Sequence, residues 1–319
     1  FIALILLVTQ QTFAGLLQSK AYCVIDTKTY KVTKFKNLLK QLPPASTVKL
    51  LTAMVVIDHV PLDRQLITSK KASLVSPTKI YLKEGERLSC KDLLMALLIK
   101  SANDSAVVLA EGVAGSVDKF MELMNKKAKN IGCKKSVFKT PNGLPHKGQY
   151  TCAYDMALIA LKALKYKKIQ EILKTKQTTI VTSTGRNIWI GSHNKLLWRR
   201  NGIIYGKTGY TNKARNTFAG FSKKEGRWFI VSLLGAPKRK IMWKELLYLL
   251  DYKDYNIKKT PKNIQTVLQK LGYYNGQIDG ILGPKSKKAV KLFQSKNGLL
   301  VDGIVGPKTW NAMKNKLDE

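Results

Sequence analysis

Between residues 46 and 165 the apolar residues of this chain recur every three to four positions, and after about residue 178 that period gives way to short β-like runs. Residues three and four apart share a helix face. STVKLLTAMVVIDH, CKDLLMALLIK, NDSAVVLAEGVAG, SVDKFMELMNKKAKNIG and AYDMALIALKALK therefore each predict a helix. TTIVTS, NIWIGS, GIIYGKTGYT, NTFAGFS and RWFIVSLLGA are short, rich in β-branched and aromatic residues and divided by turn residues, so they predict strands. Residues 21–34 alternate about a Thr-Lys-Thr turn and predict a hairpin, and KIMWKELLYLLDY predicts a closing helix. A hairpin, a helical middle and a run of antiparallel strands give an α/β (α+β) fold: an antiparallel sheet flanked by helices, with a helical subdomain.

The 319 residues exceed one average domain. From Asp251 to Asn263 the apolar period is lost and Pro261 intervenes, which places a linker at 256–262 between a main domain, 21–255, and a small C-terminal one, 263–319. The small one contains a repeat, DGILGPKSKKAVKLFQ from Asp279 and DGIVGPKTWNAMKNKL from Asp302. In each copy the glycines suit a tight turn, and Pro284 or Pro307 suits the first turn of a helix. With NIQTVLQKLG this predicts a three-helix module.

Fifty-six Lys and Arg against twenty Asp and Glu give a formal charge of +36. That excess favours polyanionic neighbours: nucleic acid, acidic lipid or the anionic polymers of a bacterial wall. Nucleic acid is the weakest of these, since no basic block is interleaved with aromatics and no Cys/His finger spacing occurs. The opening FIALILLVTQQTFA reads as the apolar core and cleavage region of an export signal, 1–14, truncated at its N-terminus. It is shorter than the roughly 20 apolar residues of a spanning helix, so no stable membrane span is expected. Cys23, Cys90, Cys133 and Cys152 lack metal-ligand spacing and are expected to be mostly unpaired, structural thiols.

Ser46 and Lys49 stand three apart at the start of a predicted helix, just after Pro43 and Pro44. Sharing a face, the amine reaches the hydroxyl and can take its proton. The prolines leave Ser46 near the positive end of the helix dipole, with its N–H available to a developing oxyanion. Such a base must be uncharged part of the time, which calls for burial or a nearby cation. Lys207, in Lys207-Thr208-Gly209 on a predicted strand, suits that role and also suits attraction of an anionic substrate. Gly209 is expected to leave room for a substrate backbone at the strand edge, and Tyr210 to offer a second oxyanion N–H. Ser101-Ala102-Asn103 falls between two predicted helices. Each motif alone has a plainer reading as a cap, a solvated charge or a turn; the three in this order point to one site.

The trio resembles the signature shared by penicillin-binding proteins and class A β-lactamases. Together with PPASTVKLLTA, YLKEGERLSCKDLLMALLIKSANDSAVVLAE, FMELMNKKAKNIG, TPNGLP, SHNKLLW and YGKTGYTNKA, residues 21 to about 255 resemble the serine-type D-alanyl-D-alanine carboxypeptidases. The resemblance implies Ser46 as nucleophile, Lys49 as general base, Ser101 and Asn103 as relay and orienting groups, and Lys207 with Thr208 as the carboxylate-binding strand. A cation after the last strand, Arg239 or Lys240, is implied to hold the substrate's terminal carboxylate. It further implies an acyl-enzyme at Ser46, peptidoglycan stem peptides and glycan as partners, β-lactams as inhibitors, no cofactor or metal, and a monomer acting outside the cytoplasm at the wall. The segment NKARNTFAG departs from the family's usual wording. The β-rich domain and amphipathic helix that follow the catalytic domain in many members are not evident. The repeat resembles a three-helix peptidoglycan-binding module, with Tyr273, Tyr274, Asp279 and Asp302 as candidate contacts and Trp310 read as core.

Two rivals remain. A class A-like β-lactamase needs a glutamate to activate the deacylating water, and neither Glu111, Glu122 nor Glu171 has the expected sequence setting. A non-catalytic wall-binding or β-lactam-sensing protein would suit the module and the charge but has no use for an activated serine.

Overall fold

The computed structural model describes residues 17–199, 203–252 and 259–316. The signal-like run at 1–14 and residues 256–258 of the expected linker lie outside these. The chain divides into two units, Phe1–Leu250 and Asp251–Glu319.

The first unit is built on a five-stranded sheet. Among the described residues the strands of this unit, in chain order, are β1 (Ala21–Asp26), β2 (Val32–Lys36), β3 (Gln65–Ile67), β4 (Arg87–Ser89), β5 (Gln177–Val181), β6 (Asn187–Gly191), β7 (Ile204–Thr211), β8 (Arg215–Lys224) and β9 (Arg227–Ala236). The main sheet has the order β2-β1-β9-β8-β7, every pair antiparallel. The hairpin at 21–36 is therefore added to the far side of the last strand, and β7 is left as an edge. β5 and β6, expected as part of the strand run, pair only with each other, and β3 with β4 form a further two-stranded piece.

The helices are α1 (Lys49–His59), α2 (Lys70–Ser73), α3 (Cys90–Met95), α4 (Asn103–Ala114), α5 (Val117–Ile131), α6 (Ala153–Ala163), α7 (Lys167–Lys174), α8 (Lys195–Arg199) and α9 (Arg239–Leu249). α1 is buried all round from Lys49 to Val56, as befits a helix apolar on every side. Its one neutral polar side chain in that stretch, Thr52, donates to the Pro141 carbonyl at 2.6 Å. The register of the sheet defines its two faces. Ser232 donates to the Ala153 carbonyl of α6, whereas Phe218, paired with Leu233, meets Trp243 of α9 edge-on. Successive residues of a strand alternate, so α6 covers one face and α9 the other. Central strands covered on both sides explain the nearly continuous burial along β8 and β9.

The second unit holds α10 (Pro261–Lys270), α11 (Pro284–Lys296) and α12 (Pro307–Lys316) around Val267, Leu268, Val290, Phe293, Trp310 and Met313. α10 begins two residues inside the expected linker, because Thr260 caps it, accepting from Asn263 N at 3.2 Å, and Pro261 opens its first turn. No described helix is long and apolar enough to cross a membrane.

Candidate active site

Ser46 lies in a 3-10 turn, Ala45–Val48, that runs directly into α1. The turn is held at its entry: the Pro44 carbonyl accepts from Thr47 Oγ1 at 2.6 Å and from Thr217 Oγ1 of β8 at 3.3 Å. Ala45 is kept at φ +47°, a conformation that a residue with a Cβ adopts only when its surroundings impose it.

Lys49 is wholly buried, and its Nζ makes three contacts: Ser46 Oγ at 2.9 Å, Asn103 Oδ1 at 2.7 Å and the Asn142 carbonyl at 2.7 Å. A neutral amine has two N–H groups and one lone pair. The two carbonyl-type oxygens can only accept, so they take the N–H groups and leave the lone pair to the serine. Burial pushes the Lys49 ammonium well below the ordinary lysine value; the charge of Lys207 adds to this and Asp104 opposes it.

The second motif owes its shape to an irregular helix. α3 is capped by Ser89, continues as a π turn, Ala96–Lys100, and stops at Ser101 with φ +67° before α4 begins at Asn103. Asn103 donates to the Ser76 carbonyl at 2.9 Å while its oxygen receives Lys49. Ser101 is buried, and its hydroxyl makes no hydrogen bond within the described residues. Asp104 turns away to accept the amides of Ile80 and Leu82 at 3.0 and 3.1 Å.

The third motif lies on β7, whose register pairs Lys207 with Ala219, Thr208 with Phe218 and Gly209 with Thr217. Lys207 and Gly209 thus share the α6 face with the Ser46 turn, and Thr208 alternates to the α9 face. A Cβ on Gly209 would come within 2.8 Å of Ser46 N and would meet Thr217 Oγ1. The missing side chain lets the nucleophile's own turn approach the strand closely. Lys207 is buried, donates to the Thr208 carbonyl at 2.8 Å and is lowered to about 7 by burial and then by Arg239. The ring of Tyr210 is exposed, with its hydroxyl 3.1 Å from Asn212 Oδ1. Of the two cations considered after β9, Arg239 is the one whose charge bears on Lys207.

Two residues of the site were not singled out from sequence. Asn142 contributes a backbone carbonyl, which no side-chain motif announces; the signal was the Pro-Asn-Gly turn, whose Gly143 has φ +81° and would strike the Ala45 carbonyl if it bore a Cβ. His193 is lowered to about 4 by burial and then by Lys207, Lys100, Arg239 and Lys49. Four basic side chains thus act together on His193. The glutamates weighed for water activation do not reach Ser46: Glu111 accepts from Ser69 at 2.7 Å and Glu171 from Lys168 at 2.5 Å, while Glu122 makes no hydrogen bond to Ser46, Lys49 or Asn103.

In the C-terminal unit the candidate contacts have internal work. Asp279 accepts from Gln265 Nε2 at 2.6 Å and Ile281 N at 2.8 Å; Asp302 accepts from Gln294 Nε2 at 2.7 Å and Ile304 N at 2.8 Å. Each glutamine also receives a glycine amide, Gly280 or Gly303, so one brace is built twice. Tyr274 is buried and donates to the Gln277 carbonyl at 2.9 Å, Tyr273 packs edge-on against Phe293, and Trp310 is core. The four cysteines are buried free thiols.

A model of the D-alanyl-D-alanine carboxypeptidase family matches residues 8–238, and one of a peptidoglycan binding domain matches residues 259–313. The D-alanyl-D-alanine carboxypeptidase DacF of Bacillus subtilis is 32% identical over 257 residues, covering 78% of this chain and 66% of the relative. DacC of Escherichia coli is 32% identical over 257 residues, covering 76% of this chain and 63% of the relative. The chain thus spans about two thirds of the length of these relatives. The crystal structure of a D-alanyl-D-alanine carboxypeptidase from Mycobacterium tuberculosis superposes with a TM-score of 0.69 at 29% identity, over 73% of this chain and 89% of that one. On the family match and the fold together, this chain belongs to the D-alanyl-D-alanine carboxypeptidase family and carries a C-terminal peptidoglycan-binding domain.

Proposed function

We propose that the protein is an exported serine DD-carboxypeptidase that removes the terminal D-alanine from peptidoglycan stem peptides and is held at the wall by its C-terminal module. The observation that carries this reading is the buried Lys49, its N–H groups engaged by Asn103 and Asn142 and its remaining contact on Ser46 Oγ at 2.9 Å.

Lys49 takes the Ser46 proton as Oγ attacks the carbonyl of the penultimate D-alanine, and the amide N–H groups of Ser46 and Tyr210 hold the oxyanion. The C–N bond then breaks. The leaving D-alanine receives its proton from Lys49, with the Ser101 hydroxyl as the relay that the family resemblance gives it. Its carboxylate lies among Lys207, Thr208 and Arg239. Water hydrolyses the ester at Ser46 and restores the serine. A β-lactam acylates the same oxygen, and with no carboxylate hydrogen-bonded to Ser46 or Lys49 among the described residues, that ester is long-lived.

The test is release of D-alanine from a D-Ala–D-Ala peptide, with labelling by a fluorescent penicillin and mapping of the acylated peptide. Label on Ser46, lost in Ser46→Ala together with D-alanine release, is the expected result. A protein that neither releases D-alanine nor takes the label is not this enzyme, and rapid hydrolysis of nitrocefin would make it a β-lactamase instead.

A further inference from the structure

Helix α11 divides into two unlike faces. Ser286, Ala289, Val290, Phe293 and Gln294 point into the module, whereas Lys285, Lys287, Lys288, Lys291 and Lys296 are all exposed. Several of these lysines stand three or four apart, a spacing at which like charges are neighbours and destabilise the helix. The rest of the module does little to compensate. From residue 259 to 316 it has eleven lysines, no arginine and no glutamate, and its two aspartates, Asp279 and Asp302, are taken up in the turn braces. Lys291 lies within electrostatic influence of Asp302, but no carboxylate of the described residues forms an ion pair with the other four.

We propose that the outer face of α11 docks the protein on a phosphodiester-bearing polymer of the wall, in addition to the peptidoglycan itself. This rests on reading the C-terminal unit as the wall-attachment module. An array of lysine point charges along roughly 17 Å of helix fits a ligand that repeats its negative charge along a chain. It does not present the planar fork with which arginine grips one phosphate or carboxylate. The face also offers one large apolar side chain, Leu292, where a helix lying in a lipid interface needs an apolar stripe.

Co-sedimentation of the full chain with purified walls tests the proposal, using walls with the polymer intact and walls stripped of phosphodiesters by cold hydrofluoric acid. Affinity for intact walls is expected to fall at least about tenfold between about 50 and about 300 mM salt. At the lower salt it is expected to fall similarly on stripped walls. The triple variant Lys287→Gln, Lys288→Gln, Lys291→Gln shows the same loss on intact walls, while the triple arginine variant, which keeps the charge, binds as the parent does. Equal binding to stripped and intact walls overturns the proposal and leaves the module a reader of bare peptidoglycan, as does a glutamine variant that binds like the parent. Tighter binding to phosphatidylglycerol vesicles or to duplex DNA than to intact walls overturns it in favour of those surfaces. Failure to bind either wall removes the wall-attachment reading itself.

Discussion

The amide nitrogen of Ser46 stands 2.8 Å from where a side chain on Gly209 would begin. The edge strand and the nucleophile's turn are thus fitted to each other directly, and the geometry of the serine depends on a glycine more than 160 residues away in sequence. Gly209→Ala is expected to push the turn off the strand. The second-order rate of penicillin acylation should fall about a hundredfold or more, out of proportion to a loss of stability of about 2 kcal/mol. An alanine variant that acylates like the parent would show that the turn moves freely.

Lys49→Gln removes the base but leaves an N–H donor in its place. Acylation should drop by roughly three orders of magnitude, within the span typical of losing a positioned general base. The midpoint of thermal unfolding should hold or rise, because the folded chain no longer has to bury an amine that must give up its proton to be accommodated. Stopped-flow labelling and calorimetry check the two halves separately.

Lys207 is lowered to about 7 from 10.5, so its charge is present below neutrality and fades above it. For a peptide ending in a carboxylate, kcat/KM should therefore decline as pH rises past about 7. Lys207→Arg, which keeps its proton, should flatten that limb. Stability moves the other way. Between about 7 and 10.5 the unfolded chain holds a proton at this residue that the folded chain has shed, so the contribution of Lys207 to stability grows with pH across that window and is lost as pH falls to about 7.

Glu86 is buried and bound by Arg186 at 2.6 and 3.0 Å, while Arg186 also donates to the Tyr81 carbonyl at 3.0 Å. Burial alone would raise the Glu86 carboxyl, but the bonds from Arg186, the Lys83 amide and Thr184 bring it down to about 2. The pair ties the β5–β6 hairpin to the 80–82 segment, which Asp104 anchors beside the second motif. Glu86→Gln should cost about 2 kcal/mol in denaturant unfolding. It should also slow acylation severalfold by loosening that segment; a variant unchanged in both would free the hairpin from any part in the site.

The elements legible in the sequence were those whose burial is set by a repeating face. α1, α4, α5 and α6 follow the three-to-four spacing, and β7, β8 and β9 their β-branched and aromatic runs. The three-residue strands β3 and β4 are too short to show alternation. β5 and β6 read as strands, yet no local pattern says that they pair only with each other. In the candidate site, Ser46, Lys49, Asn103 and Lys207 were legible because they stand in short motifs with characteristic side chains, and the structure brings Ser46 and Asn103 onto Lys49, with Lys207 near enough for its charge to act on it. The Asn142 carbonyl was not, because any residue has one, and neither was His193, whose setting comes from burial and then from basic groups on four other elements. Asp279 and Asp302 were candidates for ligand contact because carboxylates suit sugar and amide groups; the two glutamine braces they complete were not legible, since they depend on side chains brought together by the turns.

The pairing of β1 with β9 has a kinetic meaning. Ala21 finds its partner in Leu234, and Asp26 in Phe229, so the sheet cannot close until nearly the whole domain has left the ribosome. A nascent polypeptide whose first strand waits that long carries one edge of that strand unpaired until β9 emerges.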